Sequence, residues 1–333
     1  MHKDHLDKLP ASYRETVRTA LNAAFGSAQI DAITPIAGGA SGAFPFRVEM
    51  ADRHYVVRVE GPASPLRNPH QYASMQIASE AGIAPKIYYL DEMARVAVMD
   101  FIEKKPLSAF PGGPGGLAQA MGELLRRVQA TSPFPQFVEY PDMVGRLWTW
   151  VCQTGLFAPG ALDPYTERLA SIRKAYTWEP AYLVSNHNDP VPSNILFDGK
   201  RLWLIDWESA YSNDPLVDVA ITLDNLASSP ELESLLLKAW LGRAADDALY
   251  ARLAPMRALT RLYYAGVLLS ASAAASGALA DNDLSAPALP EFRRAIRDGQ
   301  LKPGTPEVKH ILGKMYLASF FTGVTPPGLD AAV

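Results

Sequence analysis

The chain has 333 residues, of which 48% are hydrophobic and 20% are charged, a size that favours two domains or two lobes with a folded core. Its formal net charge is only −4 and no block of Lys and Arg stands out, which argues against a nucleic-acid-binding surface. Cys152 is the only cysteine, so an internal disulfide is excluded and a reducing cytoplasm fits.

The N-terminus and the longest apolar run do not have the character of export or membrane segments. Residues 1–25 carry charges throughout and lack the apolar core of a signal peptide. Residues 263–280 are rich in Ala and Ser and fit a buried helix better than a membrane span. We therefore expect a cytoplasmic protein that binds neither membranes nor nucleic acid.

The first part of the chain predicts a helix followed by a small β-rich lobe. Apolar residues first recur at helical spacing and then alternate with polar ones, as in half-buried strands. The predicted elements are a helix at 11–26, strands at 44–50 and 55–61, a helix at 69–81, and strands at 86–90 and 95–101.

A loop rich in Gly and Pro, residues 104–116, separates this lobe from a mostly helical remainder. The expected domains are therefore an N-terminal lobe at 1–103 and a C-terminal lobe at 104–333, which carries one hairpin. The predicted helices span 117–130, 143–155, 162–176, 215–227, 231–250, 254–280, 290–298 and 306–321.

Polar residues surround the predicted hairpin in HNDPVPSNILFDGKRLWLIDWE, residues 187–208. The triplet DGK predicts its turn. A tip at Gly199 and Lys200, or a wider loop over 198–201, pairs Asn194 opposite Ile205 and so brings it beside Asp206. A tip at Asp198 and Gly199 would shift the register by two residues and separate them.

Amide and carboxylate oxygens at one hairpin mouth are ligands that Mg²⁺ prefers. Asp189 lies just upstream on a Pro-rich loop, where it is free to act as a base. Phosphoryl transfer needs this set, because metal ions neutralise the phosphates and a carboxylate orients the acceptor hydroxyl. Upstream, the glycine-rich stretch GGASGAF and Arg58 on a predicted strand are placed to meet the phosphates.

With these motifs the chain resembles the aminoglycoside phosphotransferase and choline kinase superfamily, the small-molecule branch of the protein-kinase-like fold. HNDPVPSN matches its H-x-D-x-x-x-x-N loop, IDWE its metal-binding motif, and NDPLVDVA the segment that follows. GIAPKIYYLD and VMDFIEKKPL resemble its helix-to-strand step and interlobe hinge. The resemblance covers about residues 30 to 230 and implies an α+β two-lobe fold, with an antiparallel sheet in the N-lobe and a mainly helical C-lobe.

The resemblance also implies residue roles, with ATP and Mg²⁺ as cofactors. Asp189 would be the base for the acceptor hydroxyl, and Asn194 and Asp206 would ligate Mg²⁺. The implied nucleotide contacts are Gly38, Gly39, Ser41 and Gly42 in the glycine-rich loop, Arg58 at the phosphates, and backbone groups of Asp100 and Ile102 at the adenine. The candidate acceptor contacts are Glu208, Asp214, Tyr263 and Tyr264. The acceptor would be a small molecule with a hydroxyl: an amino alcohol such as choline or ethanolamine, an aminoglycoside or a sugar-like metabolite.

Two places depart from the family pattern. The helix after the Arg58 strand normally supplies a Glu to pair the strand cation, and Gln71 stands there instead. Either another acid, such as Glu80, takes its place or Arg58 is held less firmly. Ala265 and Leu268 align roughly with tryptophans that form part of the aromatic cage in choline kinases, so choline is expected to be a poor acceptor.

Two other functions fit parts of the same pattern. A catalytically silent nucleotide- or metabolite-binding protein is the alternative, and only Gln71 favours it. Asp189, Asn194 and Asp206 together argue against it, because losing one of them is the usual route to silence. A protein kinase is weaker still, because D-F-G and A-P-E motifs are missing.

Three further residues near the motifs have structural interpretations. Asp218 is expected to brace the catalytic loop, and His187 to organise it. For Glu208 two interpretations are about equally favoured. It contacts substrate or a second metal ion, or it is merely a polar residue at the end of a strand; carboxylates of both kinds occur.

Overall fold

The structure, a computed structural model, describes residues 5–36, 42–61, 68–177, 179–274 and 281–323. Packing divides the chain into two compact units. The first comprises Met1–Ala109 and Ile195–Ala210, and the second comprises Phe110–Asn194 and Tyr211–Val333. The boundary predicted between residues 103 and 104 stays a prediction. The two units differ from the predicted lobes chiefly because the hairpin belongs to the first unit.

The chain alternates between strands and helices at first and becomes mostly helical later. The strands are β1 (Ala32–Pro35), β2 (Ala43–Met50), β3 (Arg53–Glu60), β4 (Ile87–Asp91), β5 (Val96–Asp100), β6 (Val184–Asn186), β7 (Ile195–Phe197), β8 (Leu202–Leu204) and β9 (Tyr211–Asn213). The helices are α1 (Ala11–Phe25), α2 (Gln71–Glu80), α3 (Gly113–Gln129), α4 (Tyr140–Gln153), α5 (Asp163–Ala175), α6 (Leu216–Leu226), α7 (Pro230–Leu241), α8 (Asp247–Ala273), α9 (Leu289–Arg297) and α10 (Pro306–Thr322).

The first unit is built on an antiparallel sheet of five strands in the order β1-β2-β3-β5-β4. The sequence predicts four of them. It does not predict β1, because four residues that end in Pro35 give too short an alternation. The antiparallel sheet confirms the predicted architecture of the N-lobe.

Alternation along β3 determines what each face of the sheet carries. Val57 and Val59 point into a core that also contains Val17 and Leu21 of α1. Successive side chains of a strand point to opposite faces. Arg58 therefore lies on the face away from this core.

The hairpin of β7 and β8 also belongs to the first unit. Leu204 pairs with Ile195 and Leu202 with Phe197, which is the register that the wider-loop prediction required. In the loop, Oδ1 of Asp198 accepts hydrogen bonds from the backbone N–H groups of Lys200 at 2.7 Å and Arg201 at 2.9 Å. An aspartate that bonds backbone two residues on is a common way to close such a turn.

The second unit is mainly helical, as predicted, with a short antiparallel pair of β6 and β9. α8 is its longest helix and packs against α4, α6 and α10. β9 is not predicted, since three residues carry almost no alternation. None of the helices in the described part of the chain combines the length and apolarity needed to cross a lipid bilayer.

The predicted helices at 231–250 and 254–280 have wrong boundaries. α7 ends before Gly242, whose φ of 74° is the left-handed geometry that ends helices, and α8 begins where the Asp246 side chain accepts the N–H of Leu249 at 2.9 Å. α8 then continues through Pro255, where a break is expected because proline lacks the N–H of the helix ladder. Packing on three neighbouring helices stabilises it there. Residues 275–280 lie outside the described residues.

Candidate active site

The loop at residues 187–194, which is predicted to be catalytic, is held at its start by a buried carboxylate. The two oxygens of Asp218 on α6 accept the backbone N–H groups of His187 at 2.8 Å and Asn188 at 2.7 Å. Burial raises the pKa of Asp218 to about 7, against the lowering by these two donors. Asn188 has a φ of 60°, a left-handed conformation that Asn tolerates, and its side chain bonds the carbonyl of Tyr211. The bracing role expected for Asp218 is therefore what its contacts show.

Asp189 follows this turn, and both of its carboxylate oxygens accept hydrogen bonds. Nδ2 of Asn194 donates to Oδ2 at 2.9 Å, and the hydroxyl of Tyr264 donates to Oδ1 at 2.6 Å. The carboxylate is partly exposed, whereas Tyr264 on α8 is buried. Burial, and after it the charge of Asp189, raises the pKa of Tyr264 well above its usual value, so the phenol stays protonated and donates.

Asn194 closes the loop and directly precedes β7. Its amide nitrogen donates to the Asp189 side chain and also to the Asp189 carbonyl at 3.0 Å. An amide that uses its nitrogen in this way has its oxygen left to bind a cation. The predicted role of Asn194 as a Mg²⁺ ligand is compatible with this orientation and stays a prediction.

Tyr264 belongs to a cluster of tyrosines in the second unit. The ring centroid of Tyr263 lies 5.4 Å from that of Tyr264 and 5.9 Å from that of Tyr140, and Tyr316 lies 5.9 Å from Tyr264. The hydroxyl of Tyr140 is buried and has no hydrogen-bond partner among the described residues. Tyr264, one of the two tyrosines predicted as acceptor contacts, bonds the candidate base.

Asp214 has a structural role that explains both of its oxygens. Oδ1 accepts the N–H of Leu216 at the start of α6 at 2.8 Å, and Oδ2 accepts the hydroxyl of Tyr176 at 3.0 Å. A carboxylate at a helix start stabilises the unpaired N–H groups there. Its predicted contact with the acceptor gains no support from this geometry and stays a prediction.

In the first unit, Arg58 is surrounded by three carboxylates. The guanidinium lies 3.0 Å from Glu60, 2.8 Å from Asp206 and 3.7 Å from Glu208. The structure thus brings together Arg58, Asp206 and Glu208, three of the residues singled out from sequence.

Asp206 follows β8 at the head of a tight turn and has a φ of 64°. Asp is one of the few residues that adopt this conformation readily. Trp207 anchors the turn: its buried indole N–H donates to the carbonyl of Leu204 at 3.2 Å. The turn ends at Ala210, whose carbonyl accepts from Asn68 and Ser74, each at 2.7 Å. The backbone therefore holds the Asp206 carboxylate at a fixed place beside Arg58.

The candidate metal ligands are oxygen atoms, which suit Mg²⁺, and they do not form a closed cage of protein ligands. Within the described residues, no group of three or more His, Cys, Asp or Glu side chains is arranged to hold a metal ion. Mg²⁺ is typically bound by one or two protein oxygens, with phosphate oxygens and waters completing its shell. Asp206 in the first unit and Asn194 in the second each offer an oxygen of that kind.

The structure supports the alternative in which another acid takes the place of the helix Glu, but that acid is not Glu80. Glu80 is on the surface and accepts a hydrogen bond from Gln76 at 2.8 Å, so that suggestion was wrong. Glu60 pairs with Arg58, and Gln71 donates to Glu60 at 3.1 Å. The signal was present in the sequence, because residues two apart on a strand share a face.

Only the end of the glycine-rich loop can be described. Gly38, Gly39 and Ser41 lie outside the described residues. The carbonyl of Gly42 accepts the N–H of Gly61 at 2.9 Å, and a Cβ on Gly61 would lie only 2.7 Å from that oxygen. A glycine is thus needed where β3 leaves the sheet, beside the predicted phosphate loop.

The predicted adenine contacts lie at the end of β5. The N–H of Asp100 donates to the carbonyl of Lys86 at 2.9 Å, and its side chain accepts the hydroxyl of Tyr88 at 3.0 Å. Ile102 is past the strand, and its backbone N–H has no hydrogen-bond partner among the residues that the structure describes. A carbonyl on Asp100 and an open N–H on Ile102 could pair with a base edge; both contacts stay predictions.

Comparison with known proteins places these features in context. The sequence profile of the phosphotransferase enzyme family matches residues 32–256. A choline/ethanolamine kinase family protein from Mesorhizobium loti superposes with a TM-score of 0.63 at 21% identity, over 90% of this chain and 98% of that one. Choline kinase LicA from Streptococcus pneumoniae gives a TM-score of 0.60 at 15% identity, over 80% and 93%. These similarities confirm the predicted kinase-like fold.

Two further similarities are more limited. One is to the structure of another phosphotransferase, and the other is a short sequence match. Spectinomycin phosphotransferase, solved with ADP and spectinomycin, superposes with a TM-score of 0.51 at 14% identity, over 77% of this chain and 88% of that one. Protein LicA of Haemophilus influenzae is 43% identical over 54 residues, which are 16% of this chain. The matched stretch spans only 20% of LicA.

Proposed function

The chain belongs to the phosphotransferase enzyme family, as its motifs predicted, and we propose that it transfers the γ-phosphoryl group of ATP to a hydroxyl of a small molecule. The observation that carries the proposal is the arrangement around Asp189. Its carboxylate is partly exposed and is held on both oxygens, by Asn194 and by Tyr264. A general base has to be placed firmly and remain accessible to the proton that it accepts.

In the proposed reaction the acceptor oxygen attacks the γ-phosphorus, its proton passes to Asp189, and ADP leaves. Arg58 would bind the phosphates, with Asp206 and Asn194 as the Mg²⁺ ligands. Bound Mg²⁺ would neutralise charge on the phosphates as the bond to ADP breaks. The contact of Asp206 with Arg58 at 2.8 Å supports this arrangement, because it places a carboxylate beside the group that would bind the phosphates.

The acceptor is proposed by chemical class. The structural neighbours include proteins named for choline, for ethanolamine and for spectinomycin, which are hydroxylated amines. A choline- or ethanolamine-like amino alcohol, an aminoglycoside and a sugar-like metabolite therefore remain the candidate acceptors. A cytoplasmic location, with no membrane or nucleic-acid partner, also remains a prediction.

The silent-binder alternative loses the one feature that favoured it. Gln71 suggested a poorly held Arg58, but Arg58 lies 3.0 Å from the buried carboxylate of Glu60. The presence of both Asp189 and Asp206 also supports transfer, because the proposed reaction needs the two carboxylates.

Acceptor-dependent release of ADP, measured over a panel of amino alcohols, aminoglycosides and sugars, tests the proposal. We expect at least one acceptor to raise ADP formation far above hydrolysis in its absence. Tight Mg·ATP binding without any acceptor-dependent turnover on a broad panel would favour the silent binder. A protein that binds no Mg·ATP would contradict both functions.

A further inference from the structure

Glu60 lies in an unusual environment for a carboxylate. It is the last residue of β3, and its side chain is only 1% exposed. Burying a charge without partners is costly. Two partners lie close by: Nη1 of Arg58 at 3.0 Å and Nε2 of Gln71 at 3.1 Å. The contact with Arg58 is an ion pair.

Gln71 begins α2, where related kinases carry the acid that pairs the strand cation. An amide cannot form that ion pair, but it can donate to a carboxylate. Here its Nε2 donates to Glu60, and its buried Oε1 accepts no hydrogen bond from the described residues. The negative charge is therefore on the strand, and the helix supplies a neutral donor.

The other two acids near Arg58 are less suited to hold it. Asp206 is the proposed metal ligand and Glu208 is 3.7 Å away; their side chains are 23% and 33% exposed. Water screens such pairs strongly, whereas a pair between a 13% exposed Arg and a 1% exposed Glu is screened much less. Glu60 is also fixed by the sheet, two residues from Arg58 on the same strand.

We propose that Glu60 is the positioning carboxylate for Arg58 in nucleotide binding, in place of the helix acid of related kinases, with Gln71 orienting Glu60. This role rests on the proposed function, in which Arg58 meets the phosphates of ATP. It has a specific consequence. Without Glu60, Arg58 pairs more strongly with Asp206 and so competes with Mg²⁺ for that carboxylate.

Calorimetric titration with Mg·ATP tests this with Glu60→Gln and, as a matched control, Glu80→Gln on the surface of α2. Glu60→Gln should weaken binding roughly tenfold or more, since a partner of a desolvated charge is lost. It should also raise the Mg²⁺ concentration needed for half-maximal binding at fixed ATP. Glu80→Gln should change neither quantity. An unchanged affinity in Glu60→Gln would overturn the proposal.

A double-mutant cycle separates positioning from a general structural effect. If Glu60 acts through Arg58, Glu60→Gln should have no further effect on Mg·ATP affinity in an Arg58→Gln background. Losses that simply add would overturn the role. If Glu60→Gln does not fold, the exchange variant E60Q/Q71E keeps the charge and side-chain sizes. It should bind Mg·ATP more tightly than Arg58→Gln, and an equal affinity would overturn the proposal.

Titration of the wild type with Mg·ATP distinguishes failure of the proposed function from failure of the role of Glu60. If the wild type binds no Mg·ATP, the proposed function itself fails. If the wild type binds and Glu60→Gln binds equally well, only the role of Glu60 fails.

Discussion

Tyr264 donates its phenolic hydrogen to Oδ1 of Asp189 at 2.6 Å, although 75 residues separate the two in the sequence. Tyr264 is buried in α8, so its hydroxyl has a fixed position. Asn194 holds the other oxygen, Oδ2, at 2.9 Å. The orientation of the proposed base therefore depends on a helix that lies far from its own loop in the sequence.

Tyr264→Phe should lower kcat about tenfold, or ~1.4 kcal/mol in activation free energy, because Asp189 loses the donor that orients it. The KM for ATP should not change, since Tyr264 does not take part in nucleotide binding. Tyr140→Phe is the matched control, because it removes a buried hydroxyl without a hydrogen-bond partner among the described residues. Steady-state kinetics on a confirmed acceptor would show this, and equal kcat values for the two variants would contradict it.

Asp189→Asn should abolish transfer while leaving Mg·ATP affinity intact. The amide cannot take the acceptor proton, and loss of a general base typically costs about 10²–10⁴-fold. Turnover is measured by acceptor-dependent ADP release and affinity by calorimetry. Near-normal turnover in the variant would show that another group serves as the base.

Asp206→Ala should remove the Mg²⁺ dependence of nucleotide binding. Without this carboxylate the metal no longer links the triphosphate to the protein, whereas Arg58 keeps Glu60 as a partner. Titrations with ATP in the presence and absence of Mg²⁺ would reveal the change. A variant with wild-type affinity and wild-type metal response would assign Asp206 a structural role only.

Asp218 should make stability fall as pH rises towards neutrality. Burial raises its pKa from 3.8 to about 7, so between these values the folded state holds a proton that the unfolded state has lost. This contribution is complete below pH 4 and is lost as the pH rises through about 7. Asp218→Asn removes this titration and one acceptor for the backbone N–H groups of the loop.

Unfolding by denaturant from pH 4 to pH 8 would measure the effect of Asp218. We expect the Asn variant to be less stable at low pH and the gap to narrow as the pH rises. Parallel curves for the two proteins would show that Asp218 does not titrate in this range.

Choline should be a poor acceptor compared with at least one other hydroxylated metabolite. Ala265 and Leu268, which align roughly with cage tryptophans, are both buried in α8. Each missing cation–π contact removes about 2 kcal/mol or more of binding free energy. A choline kcat/KM at or above about 10⁴ M⁻¹s⁻¹ would contradict this and point to Tyr263 and Tyr264 as an aromatic cage.

Local patterns in the sequence were enough to predict much of the architecture. Alternation predicted four strands of the sheet. The DGK turn predicted the hairpin and left two registers open, one of which is the observed register with Ile195 facing Leu204. Both depend on residues close together in the chain. The order of the motifs likewise identified the family, because chance rarely produces a glycine-rich loop, a strand Arg, H-x-D-x₄-N and I-D-W-E in that order.

What the sequence alone could not determine depends on packing. The helix boundary at Gly242 and Asp246 was misplaced because Pro255 suggests a break that contacts with other helices override. The pairing of Glu60 with Arg58 was in reach of strand periodicity, but only the docked α2 shows Gln71 bonding the acid. Tyr264 reaches Asp189 because α8 is packed beside the catalytic loop, and no sequence periodicity links two such distant residues. Burial of these groups sets the strength of their interactions, and burial is a property of the folded chain.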